Sequence, residues 1–350
     1  MRLFNSTART IAGGSTFVLV LMALSLGGCA SMVPQTMALR TDWPPGLPSQ
    51  SEIADVAFFP QEALQCGPAA LATLMVKAGV ATTPEALAPS VFLPAREGSL
   101  QIDMLATPRR YGRVSYALVP GARAFARLLQ EVAAGNPVIV LQDLGALGQP
   151  RWHYAVVVGY DYPAGMLTLR SGRSARETMP FTMLEYTWKK SAYWAMVVTP
   201  PSVIPATADD ATYVEAIHAM AHAAPRYPSP EHGLVKAAYQ AALDRWPQSL
   251  AAAIGLANVY YDQGKLADAE GVLRDALAHQ PESIIALNNL AQTLSDLGRQ
   301  NEALQAIERA TALAAIAGKF VEAVKQTRLL IQQRMVASDV SPATNARKPN

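Results

Sequence analysis

A chain of 350 residues, 51% apolar and 16% charged, carries enough hydrophobic material for two to three ordinary domains, which excludes disorder as its main state. With 29 basic against 27 acidic side chains there is no bulk positive field, which argues against a nucleic-acid partner recruited by net charge. The two cysteines, Cys29 and Cys66, are too few for a disulfide framework, a four-cysteine zinc site or an iron-sulfur cluster, and no cofactor or metal is implied.

The first element in chain order reads as an export signal. Arg2 and Arg9 stand in an acid-free start, and Ile11 to Leu26 form an apolar run shorter than the roughly 20 residues a membrane span needs. The run ends in Leu26-Gly27-Gly28-Cys29, which resembles the lipobox of bacterial lipoproteins. That resemblance implies removal of residues 1–28 and lipidation of Cys29. The chain would then reach a membrane through its lipid, on the periplasmic side of the outer membrane, since no Asp follows the cysteine. Residues 29–51, with Pro34, Pro44, Pro45 and Pro48, read as an extended tether.

If lipid consumes Cys29, Cys66 is the one thiol left, in a compartment where thiols are normally paired. It sits in Gln61-Glu62-Ala63-Leu64-Gln65-Cys66-Gly67-Pro68, followed by an uninterrupted helical pattern. Pro68 belongs in a first helical turn, where a missing amide hydrogen costs nothing. Cys66 is therefore placed at a helix amino terminus, whose free amides and dipole favour a thiolate. Gln61, five residues upstream, is placed to fold back and donate its amide to an oxyanion forming beside the sulfur.

Further along, residues 98–112 read as a helix leading into a strand at 113–119, and 121–134 as another helix feeding the strand 138–142. Trp152 to Asp161 is a β-branched run closed by a turn, and 166–170 and 193–199 supply two more strands. Helices first and antiparallel strands afterwards is an α+β order. Of the five histidines, only His153 precedes residue 200, and it opens the strand Trp152 to Asp161. Gln61, Cys66-Gly67-Pro68 and His153-Tyr154-Ala155-Val156-Val157-Val158-Gly159-Tyr160-Asp161 together resemble the C39 cysteine peptidases and C39-like domains, relatives of papain. The resemblance covers roughly residues 52–200. It implies a papain-like α+β fold in which Cys66 is the nucleophile, His153 the base and Gln61 an oxyanion donor.

The family's histidine is normally held by the aspartate of an Asp-Pro pair, and counting through the hairpin puts that position at Ser171-Gly172. Asp161 is eight residues along the same strand, roughly 26 Å from His153 at about 3.3 Å per residue. Asp143 ends the preceding strand, and antiparallel pairing would bring it to the same end as His153, so Asp143 is expected to orient the imidazole. Ser171 is the uncharged alternative.

After a proline-rich linker at 201–212 the texture changes to alanine-rich helix. A shift of 34 residues aligns Leu256 with Leu290, Ala257 with Ala291, Gly264 with Gly298, Ala269 with Ala303, Leu273 with Ile307 and Ala276 with Ala310. This is the tetratricopeptide (TPR) pattern, with small residues where paired helices touch and glycine at the turn. An all-α array is expected over 213–337, closed by a capping helix at 320–335, with a disordered tail at 338–350. Its 11 basic and 12 acidic residues give little steering. His218, His222 and His232 lie on this surface without a cysteine or a clear acidic cluster, as on a solvated helix face.

The expected protein is thus a lipid-anchored cysteine peptidase acting on peptides or proteins, with a TPR groove for a protein partner. The other reading is an envelope scaffold whose papain-like domain binds peptides without cutting them.

Overall fold

The structure, a computed structural model, describes residues 32–61, 65–146, 148–223 and 230–340, without the side chains of 230–232 and 338–340. The expected export signal and Cys29 lie outside the described residues. The chain divides into two compact units, one of residues 1–77, 82–99 and 117–197, the other of 78–81, 100–116 and 198–350. The segment 100–116 therefore groups with the helical half, although sequence order places it inside the expected peptidase domain.

The first described element is a helix, α1 (Pro34–Leu39), in place of an extended tether. Buried Glu185 explains the difference: its carboxylate accepts the amides of Gln35 at 2.8 Å and Thr36 at 2.6 Å. Two amides that a helix start leaves unpaired thus find an anion beside the positive end of the dipole. The Gln35 side chain then bonds Gly121 O and Phe125 N, so the segment is clamped down. β1 (Gln50–Glu52) follows, and the chain reaches α2 (Cys66–Lys77).

α2 is apolar nearly all round, and Leu71, Leu74 and Met75 have no exposed surface, as a helix lying in the core requires. Next come α3 (Pro84–Val91), capped by Thr83, and a short ribbon of β2 (Phe92–Leu93) with β3 (Gly98–Ser99). α4 (Gln101–Arg110) and most of β4 (Val114–Ala117) fall in the other unit. The rest of the first unit is α5 (Ala124–Ala133), β5 (Val138–Asp143), β6 (Trp152–Asp161), β7 (Met166–Ser171), β8 (Ser174–Pro180), α6 (Phe181–Trp188) and β9 (Ala195–Thr199).

Its antiparallel sheet runs β9–β5–β6–β7–β8. β6 is the central strand, buried from Tyr154 to Tyr160. β5 flanks one edge from Trp152 to Val157, and β1 takes over that edge from Gly159 to Asp161. Gly159 is required there, because a Cβ would stand 3.0 Å from Ser51 O and 3.1 Å from the Glu52 side chain. Phe125, Phe181 and Trp188 join α5 and α6 in one aromatic cluster, with ring centroids 5.2 and 6.1 Å apart.

In the second unit α4 packs against α7 (Asp210–Ala223), which is followed by α8 (Pro230–Arg245), α9 (Leu250–Asp262), α10 (Leu266–His279), α11 (Ile284–Asp296), α12 (Gln300–Ala317) and α13 (Val321–Val340). The 34-residue period is visible in atomic detail. Ser249 and Ser283 each accept the amide three residues on at 3.2 Å, and Gly264 and Gly298 turn the chain at φ +70° and +78°. Ala269 and Ala303, and Leu273 and Ile307, fill equivalent buried positions. The closing helix runs to Val340, so residues 338–340 are helical where a tail is expected, and 341–350 lie outside the described residues.

Candidate active site

The site forms where the first residues of β6 outrun β7. Beyond Val156↔Arg170 the β7 ladder ends, which leaves the main-chain polar groups of Tyr154 open on that side. Gln61 fills part of the gap. Its amide donates to Gly172 O at 2.8 Å, its Oε1 accepts Gly172 N at 3.1 Å, and its Nε2 reaches Tyr154 O at a long 3.4 Å. The main-chain amides of Tyr154, Gly67 and Cys66 itself lie near enough to the Cys66 sulfur to favour its thiolate. Cys66 is the first residue of α2, so the start of a buried helix is what delivers sulfur to the strand.

His153 lies one residue before Tyr154, and its Nε2 is 3.0 Å from Ser171 Oγ. Gln61, Cys66, His153 and Ser171 therefore converge on one end of the β6–β7 pair. With Nε2 on Ser171, Nδ1 is the ring nitrogen left for the sulfur or a substrate, and no Cys66–His153 hydrogen bond occurs among the described residues.

Asp143 is not part of this cluster. It stands opposite Trp152, while Gln142 stands opposite His153. Successive side chains on a strand point to opposite faces, so Asp143 points away from the histidine. Its carboxylate instead accepts the amides of Gly145 and Arg151, both at 2.8 Å, and pairs with Lys190 at 3.3 Å. Those amides and the ammonium hold it below the usual carboxylate range. Asp143 ties the two ends of the β5–β6 connection: strand pairing brings it to the same end as His153, and alternation sends its side chain the other way. Ser171 takes the place beside the imidazole.

Burial sets the electrostatics. It pushes the Cys66 thiol up, and the three backbone amides only partly offset this. It pushes His153 down, with Glu177 favouring the imidazolium and Arg151 opposing it. Both shifts favour the uncharged thiol and imidazole, so the helix start does not by itself stabilise a thiolate here. The Tyr154 amide, Glu177 and Arg151 are influences that sequence reasoning missed. The amide had no side-chain signal, and Glu177 enters through β8, a strand absent from the sequence reading. Among the described residues no group of three or more His, Cys, Asp or Glu could hold a metal.

Residues 53–196 match the model of the Peptidase_C39 like family. This segment is a C39-like peptidase domain. Residues 236–284 and 254–317 match the tetratricopeptide repeat model, so the C-terminal helices are TPR repeats. A comparison with curated proteins returns no match. Among solved structures, a Bacillus anthracis chain described as a C39-like peptidase aligns with TM-score 0.36 and 17% identity, over 43% of this chain and 97% of the other. The C39-like domain thus carries the Cys66–His153–Ser171 end of the sheet, and the TPR repeats occupy the second unit.

Proposed function

We propose that this protein is an exported, lipid-anchored cysteine peptidase that hydrolyses peptide bonds with Cys66 and His153, and uses its TPR module to hold a substrate or protein partner. The observation carrying the reading is the convergence of Cys66 and His153 on adjoining residues of β6, with Ser171 holding the imidazole through Nε2. With both groups neutral at rest, His153 takes the thiol proton as sulfur attacks the carbonyl. The Cys66 amide and the Gln61 carboxamide receive the oxyanion, the latter exchanging its long bond to Tyr154 O. The imidazolium then protonates the leaving amine, and His153 activates water to release the acyl group. Anchorage through Cys29 at the outer membrane, facing the periplasm, belongs to the same proposal and rests on the lipobox pattern.

The TPR array offers a groove of about 300 Å³ in which Asn258, Tyr261, Asp262, Asn289, Gln292 and Thr293 stand beside the apolar Ala257 and Leu273. Carboxamides in such a row can pair with the main chain of an extended peptide. The experiment is labelling and peptide hydrolysis by purified protein beside Cys66→Ala. Covalent labelling of Cys66 by a peptidyl electrophile, lost in the variant, supports the peptidase; an inert thiol in folded protein overturns it. A non-cutting scaffold is the second reading, favoured by the burial that keeps both Cys66 and His153 uncharged.

A further inference from the structure

One pair of side chains outside the C39-like site is arranged for chemistry that neither the TPR fold nor peptide hydrolysis uses. His218 and His222 stand one helical turn apart on the exposed face of α7, and their Nε2 atoms are 2.9 Å from each other. The rings are nearly perpendicular, at 88° with centroids 4.4 Å apart, so they converge through their nitrogens and do not stack.

A spacing of four residues brings two side chains to the same helix face, and χ1 preferences tilt both toward the amino terminus. Metal–imidazole bonds are about 2.0–2.1 Å long, so two nitrogens at a right angle around one ion lie about 2.9 Å apart. Around a tetrahedral ion the same bonds would hold them about 3.4 Å apart. The 2.9 Å separation is that of an N–H···N hydrogen bond and leaves both nitrogens close enough to reach one ion; of the divalent ions that imidazole suits, copper(II) is held most tightly, with nickel(II) next to it in the affinity order. Glu215 is on the same face one turn earlier, where it interacts with Arg109. With no third His, Cys, Asp or Glu in place among the described residues, water would complete the ion's coordination.

We propose that His218 and His222 form a two-imidazole chelating site for a divalent transition-metal ion of tetragonal preference, copper(II) first and nickel(II) second. The site is independent of Cys66 and of peptidase activity. Without metal one ring's N–H faces the other ring's lone pair. Binding needs both Nε2 lone pairs, so the donor ring carries its proton on Nδ1 instead and both imidazoles stay neutral.

The test titrates nickel(II), which does not oxidise Cys66, into the untagged full-length chain by calorimetry. Copper(II) is added to full-length Cys66→Ser for electron paramagnetic resonance. The expected result is one ion per chain, a tetragonal copper spectrum with nitrogen hyperfine splitting, and at least about tenfold weaker binding in His218→Ala and in His222→Gln. His153→Ala should bind as the wild type does. Circular dichroism of each variant establishes that it is folded. Unchanged affinity in folded His218→Ala and His222→Gln, or loss of binding in His153→Ala, would overturn the proposal.

Discussion

The C39-like unit and the TPR unit reach order by opposite routes. In the TPR repeats contacts are made within a helix or with one adjacent or next but one in the chain, so the same short solution recurs 34 residues apart: a serine cap, a left-handed glycine and a buried alanine. In the C39-like unit the decisive contacts join residues far apart in the chain. Glu185 caps α1 from 150 residues away, and Gln61 bridges to Gly172 across 111. A change in the repeats should therefore act locally and additively, whereas a change in the sheet should propagate to the site.

The largest expected effect tests the sheet's chemistry. Cys66→Ala should lower peptide hydrolysis by on the order of 10⁴-fold or more, with an unchanged circular dichroism spectrum. Replacing the imidazole's partner comes next. Ser171→Ala should cost about 10²-fold in kcat, the scale of a misplaced catalytic group, while Asp143→Asn leaves kcat at the wild-type level. Steady-state kinetics of the two variants decide between them, and the reverse ranking would restore Asp143 to the site.

The long-range clamp can be tested by urea unfolding. Glu185→Ala leaves the Gln35 and Thr36 amides without their acceptor in a buried place, and should cost about 1–3 kcal/mol. For pH, a thiol raised above its ordinary value near 9 is mostly protonated at neutrality, so alkylation should accelerate about tenfold per unit up to that value. Since His153 is lowered, folding stability falls as acid protonates the unfolded chain's imidazole first, below the ordinary value of 6.5. An alkylation rate independent of pH from 6 to 8 would instead mean a thiolate–imidazolium pair. The smallest effect belongs to the repeats. Gly264→Ala and Gly298→Ala should each cost about 1 kcal/mol, equally and additively, because each puts a Cβ at positive φ.

Much of this was legible in the residues. β6 is predicted and found at Trp152–Asp161, since a long β-branched run bounded by turns has few other fates. Pro68 marks the start of α2, and the repeat period locates every paired helix from α9 to α12. α1 and β8 were not legible. α1 is short and proline-led, and its cap comes from a distant glutamate; β8 is polar and mostly exposed, without apolar alternation.

The amino-acid sequence by itself determined the two kinds of unit, the nucleophile and base candidates and the repeat register, because helix starts, apolar periodicity and internal repetition are local properties. The tertiary structure decided which side chain stands beside His153, and the burial that raises the Cys66 thiol and lowers the His153 imidazole. Strand pairing and alternation turn Asp143 away and bring Ser171 in, and desolvation depends on what the rest of the chain packs around a group.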